Sequence, residues 1–139
     1  LLYSEKALKI FEEIGEKRGT CAALNNMGHA QLKLGNPHQS LNSFWKALSI
    51  GQSIGSKFEQ CDSYIGIGSA YYAKAEMKNA AEALSRSVEL AQEMQSIGYL
   101  TEVLYKKGLV ARDSGKTEEA LEIFEQAIEN VEKGRSEIE

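Results

Sequence analysis

The 139-residue chain predicts an all-α solenoid of about seven antiparallel helices, on three observations. Gly28, Gly68 and Gly108 stand 40 residues apart, and their surroundings repeat in the same register. Fifteen alanines against four valines, with a single proline, favour helix over sheet. Between the breaks, apolar residues recur at spacings of three and four, the period of amphipathic helices. A composition 42% hydrophobic and 26% charged excludes disordered and collagen-like chains.

The elements follow in order. Residues 1–17 carry the pattern of the second helix of a unit, helix B: Lys6-Ala7-Leu8 recurs as Lys46-Ala47-Leu48, and Ile14-Gly15 as Ile54-Gly55. The array therefore begins with a half unit, 1–19. The first full unit, 20–58, holds helix A at about 20–34, with Leu24, Met27 and Gln31 around Gly28. Gly35-Asn36-Pro37 breaks the chain with a C-cap glycine, an N-cap asparagine and a proline suited to the first helical position. Helix B then spans about 37–56. The second unit, 59–98, has helices near 59–75 and 77–96. The third, 99–133, has them near 99–115 and 117–133, with Gly115 at the turn. Residues 134–139 read as a frayed tail. The start on Leu1, without methionine and inside a helical pattern, reads as a piece of a longer protein.

Small residues Ser40, Ala80 and Ala120 follow each glycine at twelve residues, and Phe44, Leu84 and Phe124 lie four further on. The glycine is expected where helix A crosses helix B closely, opposite the small residue, with the bulky residue reaching between helix pairs. One pair cannot bury such a face, whereas stacked pairs can.

Leu24-x-x-Met27-Gly28-x-x-Gln31 with Ser40, Phe44 and Ala47 resembles the tetratricopeptide repeat. So do Tyr64-x-x-Ile67-Gly68-x-x-Tyr71 with Ala80 and Leu84, and Leu104, Gly108, Ala111, Ala120, Phe124 and Ala127. The resemblance covers essentially the whole chain and implies a right-handed superhelix of three and a half units. The period of 40 exceeds the family's usual 34, as in Pins-type adaptors, kinesin light chains and bacterial regulatory proteins. The proline that normally ends a unit is absent, and Lys107 replaces an apolar residue in the last unit.

Candidate chemistry is sparse. Gly51-Gln52-Ser53-Ile54-Gly55 matches G-x-S-x-G, but a nucleophile elbow needs a preceding strand and a later histidine, and both His29 and His38 come earlier. Cys21 and Cys61 occupy equivalent places in successive units. Stacked helices would hold them roughly 8–10 Å apart, beyond the disulfide limit of about 7 Å. They read as small buried thiols in a reduced, cytoplasmic setting, and with His29 and His38 they lack the close pairing of a zinc site. No phosphate-binding glycine loop occurs, and Gly66-Ile67-Gly68 lacks the third glycine and strand of a dinucleotide site. Neither enzyme activity nor a cofactor or metal is expected. A net charge of −4 argues against a nucleic-acid partner, and no apolar run is long enough for a membrane.

The family resemblance implies a concave groove lined by the A helices. Positions 2, 5, 9, 12 and 13 of each unit give Ala22, Asn25, His29, Leu32 and Lys33, then Asp62, Ile65, Ser69, Tyr72 and Ala73, then Glu102, Tyr105, Leu109, Arg112 and Asp113. Asn25, His29, Leu32, Ile65, Ser69, Tyr72, Tyr105, Leu109 and Arg112 are the expected partner-binding residues, with Leu32, Ile65, Tyr72, Tyr105 and Leu109 as an apolar floor. The positions of the family's carboxylate clamp carry Asn25, His29, Gly66, Glu102 and Lys106, an unfavourable set for a C-terminal carboxylate. Trp45, whose equivalents are Glu5, Ser85 and Glu125, is an expected contact on the outer surface. The expected role is a protein-interaction scaffold that takes a helix or peptide from a partner or from the same polypeptide. The alternatives are an input domain of a bacterial signalling protein (a cyclase or transcription regulator) and a self-association module. The N-terminal half unit, with Leu1, Leu2, Ala7, Leu8 and Phe11, predicts a homodimer.

Overall fold

The computed structural model describes residues 1–138 as seven helices: α1 (Leu2–Ile14), α2 (Lys17–Lys33), α3 (Pro37–Ser53), α4 (Lys57–Ala73), α5 (Met77–Glu93), α6 (Ile97–Asp113) and α7 (Thr117–Ile138). No strand occurs among the described residues. Helices α2, α4 and α6 are of the A type, and α1, α3, α5 and α7 of the B type.

The A helices start two or three residues earlier than hydrophobic spacing indicates, because polar caps open them. The Ser56 and Ser96 hydroxyls accept from the Glu59 and Tyr99 amides at 3.3 and 3.2 Å. The Glu16 carboxylate accepts from the Arg18 amide at 3.2 Å and from that of Gly19. Such caps satisfy N–H groups that the helix itself leaves unpaired. Asn36 stands at the N-cap before Pro37 as expected, but its side chain makes no capping bond.

Every turn uses one device. Residues 15, 35, 55, 75, 95 and 115 all adopt left-handed backbone, with glycine at four of them and Ala75 (φ 59°) and Gln95 (φ 54°) at the others. The following amide returns to a carbonyl of the last helical turn, as in Glu16 to Phe11, Ser56 to Gly51 and Glu76 to Tyr71, at 2.9–3.0 Å. These left-handed residues end the B helices α3 and α5 before the apolar pattern does.

Curvature follows from helix contacts. Helix α2 approaches α4, and α4 approaches α6, whereas the backbones of α3, α5 and α7 do not approach one another. The A helices therefore lie on the inside of the bend and the B helices on the outside.

Each glycine of the 40-residue register meets the bulky residue of helix B rather than the small one. A β-carbon at Gly28 would sit 2.6 Å from the Phe44 ring, and one at Gly68 2.7 Å from the Leu84 side chain. Ala80 presents only its carbonyl oxygen to Gly68, at 3.5 Å. Phe44 also abuts Gly66 of the next unit, so this ring does reach between pairs. Phe44, Ile67, Leu84 and Val103 are fully buried along the axis of the array.

At the C-terminus the expected frayed tail is helical through Ile138, and Glu139 lies outside the described residues. Asn130 explains the extension. Its side-chain amide donates to the Thr101 hydroxyl at 2.8 Å and to the Ile97 carbonyl at 3.1 Å. Gly134 is buried against Ile97, which docks the last turns on the start of α6.

Candidate protein-binding surface

The concave face is built from one side of α2, α4 and α6, and the structure divides the expected groove residues into three groups. Asn25 and Ile65 are corrected outright: Asn25 is fully buried and Ile65 is 2% exposed. The fifth position of helix A is covered by the next A helix. Asn25 bridges α2 to α4, accepting from the Ser63 hydroxyl at 2.9 Å, with its amide 3.5 Å from the Glu59 carbonyl. Ile65 joins the core with Cys61, Leu84 and Val103. Tyr105, at the same position of the last unit, has no A helix after it among the described residues, and is 55% exposed.

The second group is polar and engaged within the array. His29 Nε2 lies 3.4 Å from Asp62 Oδ1, tying α2 to α4. The His29 ring also packs edge-on to Phe44, with centroids 4.8 Å apart. Tyr72 donates its hydroxyl to Asp113, and the Lys106 ammonium donates to the Ser69 hydroxyl at 3.3 Å, both between α4 and α6. The Asp113 bond raises the Tyr72 pKa, and the Arg112 guanidinium, 2.9 Å away, holds the Asp113 carboxyl below its usual range. These contacts set the spacing of the A helices, a role that position alone did not indicate.

The third group is apolar and open. Leu32 and Leu109 are half-buried, and Leu109 lines a small cleft of about 140 Å³ with Gly68, Ser69, Tyr72, Leu84 and Lys106. Tyr105 packs at 6.0 Å on Phe124, beside a cavity of about 670 Å³ that Ile128 and Val131 continue along α7. Arg112 is exposed at the rim. Leu109 and Arg112 thus stand at the C-terminal end of the concave face, Tyr105 lies beside Phe124 at the adjoining end of the array, and Leu32 lies apart on α2. Trp45, 46% exposed, is on the opposite, outer face beside Tyr64, Tyr71 and Arg86.

Gly51–Gly55 forms the end of α3 and its turn, where the Ser53 hydroxyl donates to the Ile50 carbonyl at 2.7 Å. The buried thiols of Cys21 and Cys61 point at the Ala47 and Ser87 carbonyls, at 3.1 and 3.6 Å. Burial is the main cause that pushes their pKa values up to about 11 and about 12. Among the described residues no group of three histidine, cysteine or acidic side chains could hold a metal ion. No described helix is long and apolar enough to cross a membrane.

Stacked helical hairpins, a 40-residue register of glycine and bulky residue, and a concave face of A helices define a helical repeat scaffold. The model of the tetratricopeptide repeat family matches residues 62–94 and 101–130. No curated protein matches by sequence. Among solved structures, the tetratricopeptide domain of Arabidopsis FLU superimposes with a TM-score of 0.78 at 18% identity, covering 84% of this chain and 98% of that one. BtubC from P. vanneervenii gives 0.85 at 18% identity, and the apo form of RapI 0.87 at 23%. Each covers 96% of this chain, which spans only 56% and 49% of those two proteins. At these identities the likeness is one of fold.

Proposed function

We propose that this domain is a scaffold whose concave face receives a helix or extended peptide of a protein partner at its C-terminal half. The observation that carries this reading is the open apolar group there. Leu109 remains accessible near Arg112, with Tyr105 open at the adjoining end of the array, while His29, Ser69, Tyr72 and Lys106 are occupied in holding α2, α4 and α6 together. An exposed aromatic and an arginine on one helix, bordered by polar side chains, are residue types enriched at binding hot spots.

The test is selection of peptides from a displayed library on the immobilised domain, followed by titration against Leu109→Asp and Tyr105→Ala. Both variants should keep the parent's circular dichroism, because neither residue is fully buried. Affinity for the selected peptides should drop by about tenfold or more, as expected for a hot-spot residue. Ligands that bind both variants as they bind the parent would refute the assignment.

A further inference from the structure

The outer face differs from one unit to the next. Between α3 and α5, Trp45, Tyr64, Ile67 and Tyr71 crowd the cleft, leaving a cavity of about 220 Å³. One unit later the same four positions are Ser85, Leu104, Lys107 and Ala111. Three aromatic rings are gone, and the cleft between α5 and α7 opens to about 800 Å³. Its floor is apolar, from Met77, Ala81, Val110 and Ile123, and Lys78, Lys107 and Lys116 surround it.

Charge points to the occupant. The chain as a whole is acidic, yet this trough carries three lysines and Arg86, the arginine paired with Glu89, against Glu82 and Glu119. Glu119 lies 3.9 Å from Lys116, whereas neither Lys78 nor Lys107 makes an ion pair among the described residues. Lys107 is half-buried at the position where Ile67 is fully buried one unit earlier. A partly desolvated ammonium over an apolar floor gains from an incoming carboxylate. The trough is open along two helices, a shape that suits a polypeptide segment laid between them.

We propose that the outer cleft between α5 and α7 is a second docking site, for an acidic segment of a partner protein. One large apolar side chain of that segment enters the volume that Tyr71 fills one unit earlier, and its carboxylates meet Lys78, Lys107 and Lys116. The site is independent of the concave face.

Fluorescence anisotropy with a short helix-forming peptide tests this. The peptide carries a phenylalanine and a leucine one turn apart among glutamates, and a matched peptide has lysines in their place. The acidic peptide should bind saturably and the lysine peptide should not. Ala111→Tyr, which restores the ring, and Lys107→Ile, which restores the apolar plug, should each weaken binding by about tenfold or more. Leu109→Asp on the concave face should leave it unchanged. If Ala111→Tyr fails to fold, Lys107→Glu takes its place with the same expected loss. The proposal is overturned if the acidic peptide does not bind or if the lysine peptide binds equally. It is equally overturned if binding survives the Lys107 variants, or is lost in Leu109→Asp instead, which would place the peptide on the concave face. Lys107-dependent self-association without peptide binding would also overturn it, in favour of a second copy of this chain.

Discussion

The ring of Phe44 occupies the volume that a β-carbon at Gly28 would need, with its Cε1 2.6 Å from that position. Gly66, on the next A helix, meets the same atoms of this ring. Two effects oppose each other when either glycine becomes alanine. Helix propensity favours alanine by about 1 kcal/mol, whereas overpacking a filled core costs about 1–3 kcal/mol or more. Phe44 is fully buried and a ring cannot bend aside, so the steric effect wins. Gly28→Ala and Gly66→Ala should each lower stability in urea titrations. Gly98→Ala, in an exposed helical site with nothing within 4 Å, should raise it by about 0.5–1 kcal/mol. Equal responses at Gly98 and Gly28 would remove Phe44 as the cause.

Ala75 and Gln95 hold the left-handed turn position that glycine occupies in the four other turns. The side chain there meets its own backbone at a cost of about 1–2 kcal/mol, partly offset by the smaller entropy of its unfolded chain. Ala75→Gly and Gln95→Gly should therefore each stabilise by about 0.5–1 kcal/mol, and the pair additively, since they lie in separate turns. Unchanged or lower melting temperatures in both variants would contradict this.

These turns also mark how far the sequence could be read. The helix count and the repeat were legible because glycine, small residue and bulky residue keep one register through all three units. Glycine announced four turns, but Ala75 and Gln95 carry no local signal and take the same backbone only because the flanking helices must reverse there. In the groove, counting positions placed Asn25 and Ile65 on the surface because one unit considered alone leaves them bare; the next A helix covers both. The polar ties of His29, Ser69 and Tyr72 depend on partners more than 30 residues away. The outer cleft did leave a trace: Lys107 stands out in its own unit, and aligning Trp45, Tyr64 and Tyr71 with Ser85, Leu104 and Ala111 reveals the lost volume.

Alkaline pH should destabilise the array through its thiols. Burial raises the pKa of Cys21 from 9.0 to about 11 and that of Cys61 to about 12. Above pH 9 the unfolded chain releases protons that the folded chain keeps, so stability is full below pH 9 and falls as pH rises toward these values. Each thiol contributes a slope of up to about 1.4 kcal/mol per pH unit. Tyr99, pushed up to about 12 chiefly by burial, acts in the same direction. Urea midpoints should fall between pH 8 and pH 10, and less in the Cys21→Ala/Cys61→Ala double variant. A parent midpoint equal at both values would contradict the burial of these thiols.

Glu59 works against stability at neutral pH. It is buried at the start of α4, and burial with the neighbouring Asp62 raises its pKa despite the opposing charge of Arg18. Its folded state holds the proton more tightly, so its contribution is greatest below pH 4.5 and declines as pH rises through the raised value. Glu59→Gln should raise the melting temperature at pH 7 and have less effect at pH 4. The reverse order would mean that the carboxylate is paired rather than desolvated.

The N-terminal helix carries the last prediction. Ala7, Leu8 and Phe11 are half-buried on the α2 side of α1, and Phe11 fills the space beside Gly19. What remains exposed is a stripe of Tyr3, Ile10 and Ile14, at spacings of seven and four, with Leu2 beside it. In the isolated domain such a stripe is expected to be covered, and a second copy can cover it by pairing two α1 helices about a twofold axis. Light scattering at about 100 μM should then report a dimer that dissociates on dilution. Ile10→Asp with Ile14→Asp should give a monomer whose melting temperature, extrapolated to low concentration, matches the parent's, because neither residue contributes to the core. A parent that stays monomeric at that concentration would sink the dimer. A double variant that loses helicity would instead show that the stripe supports the fold of α1.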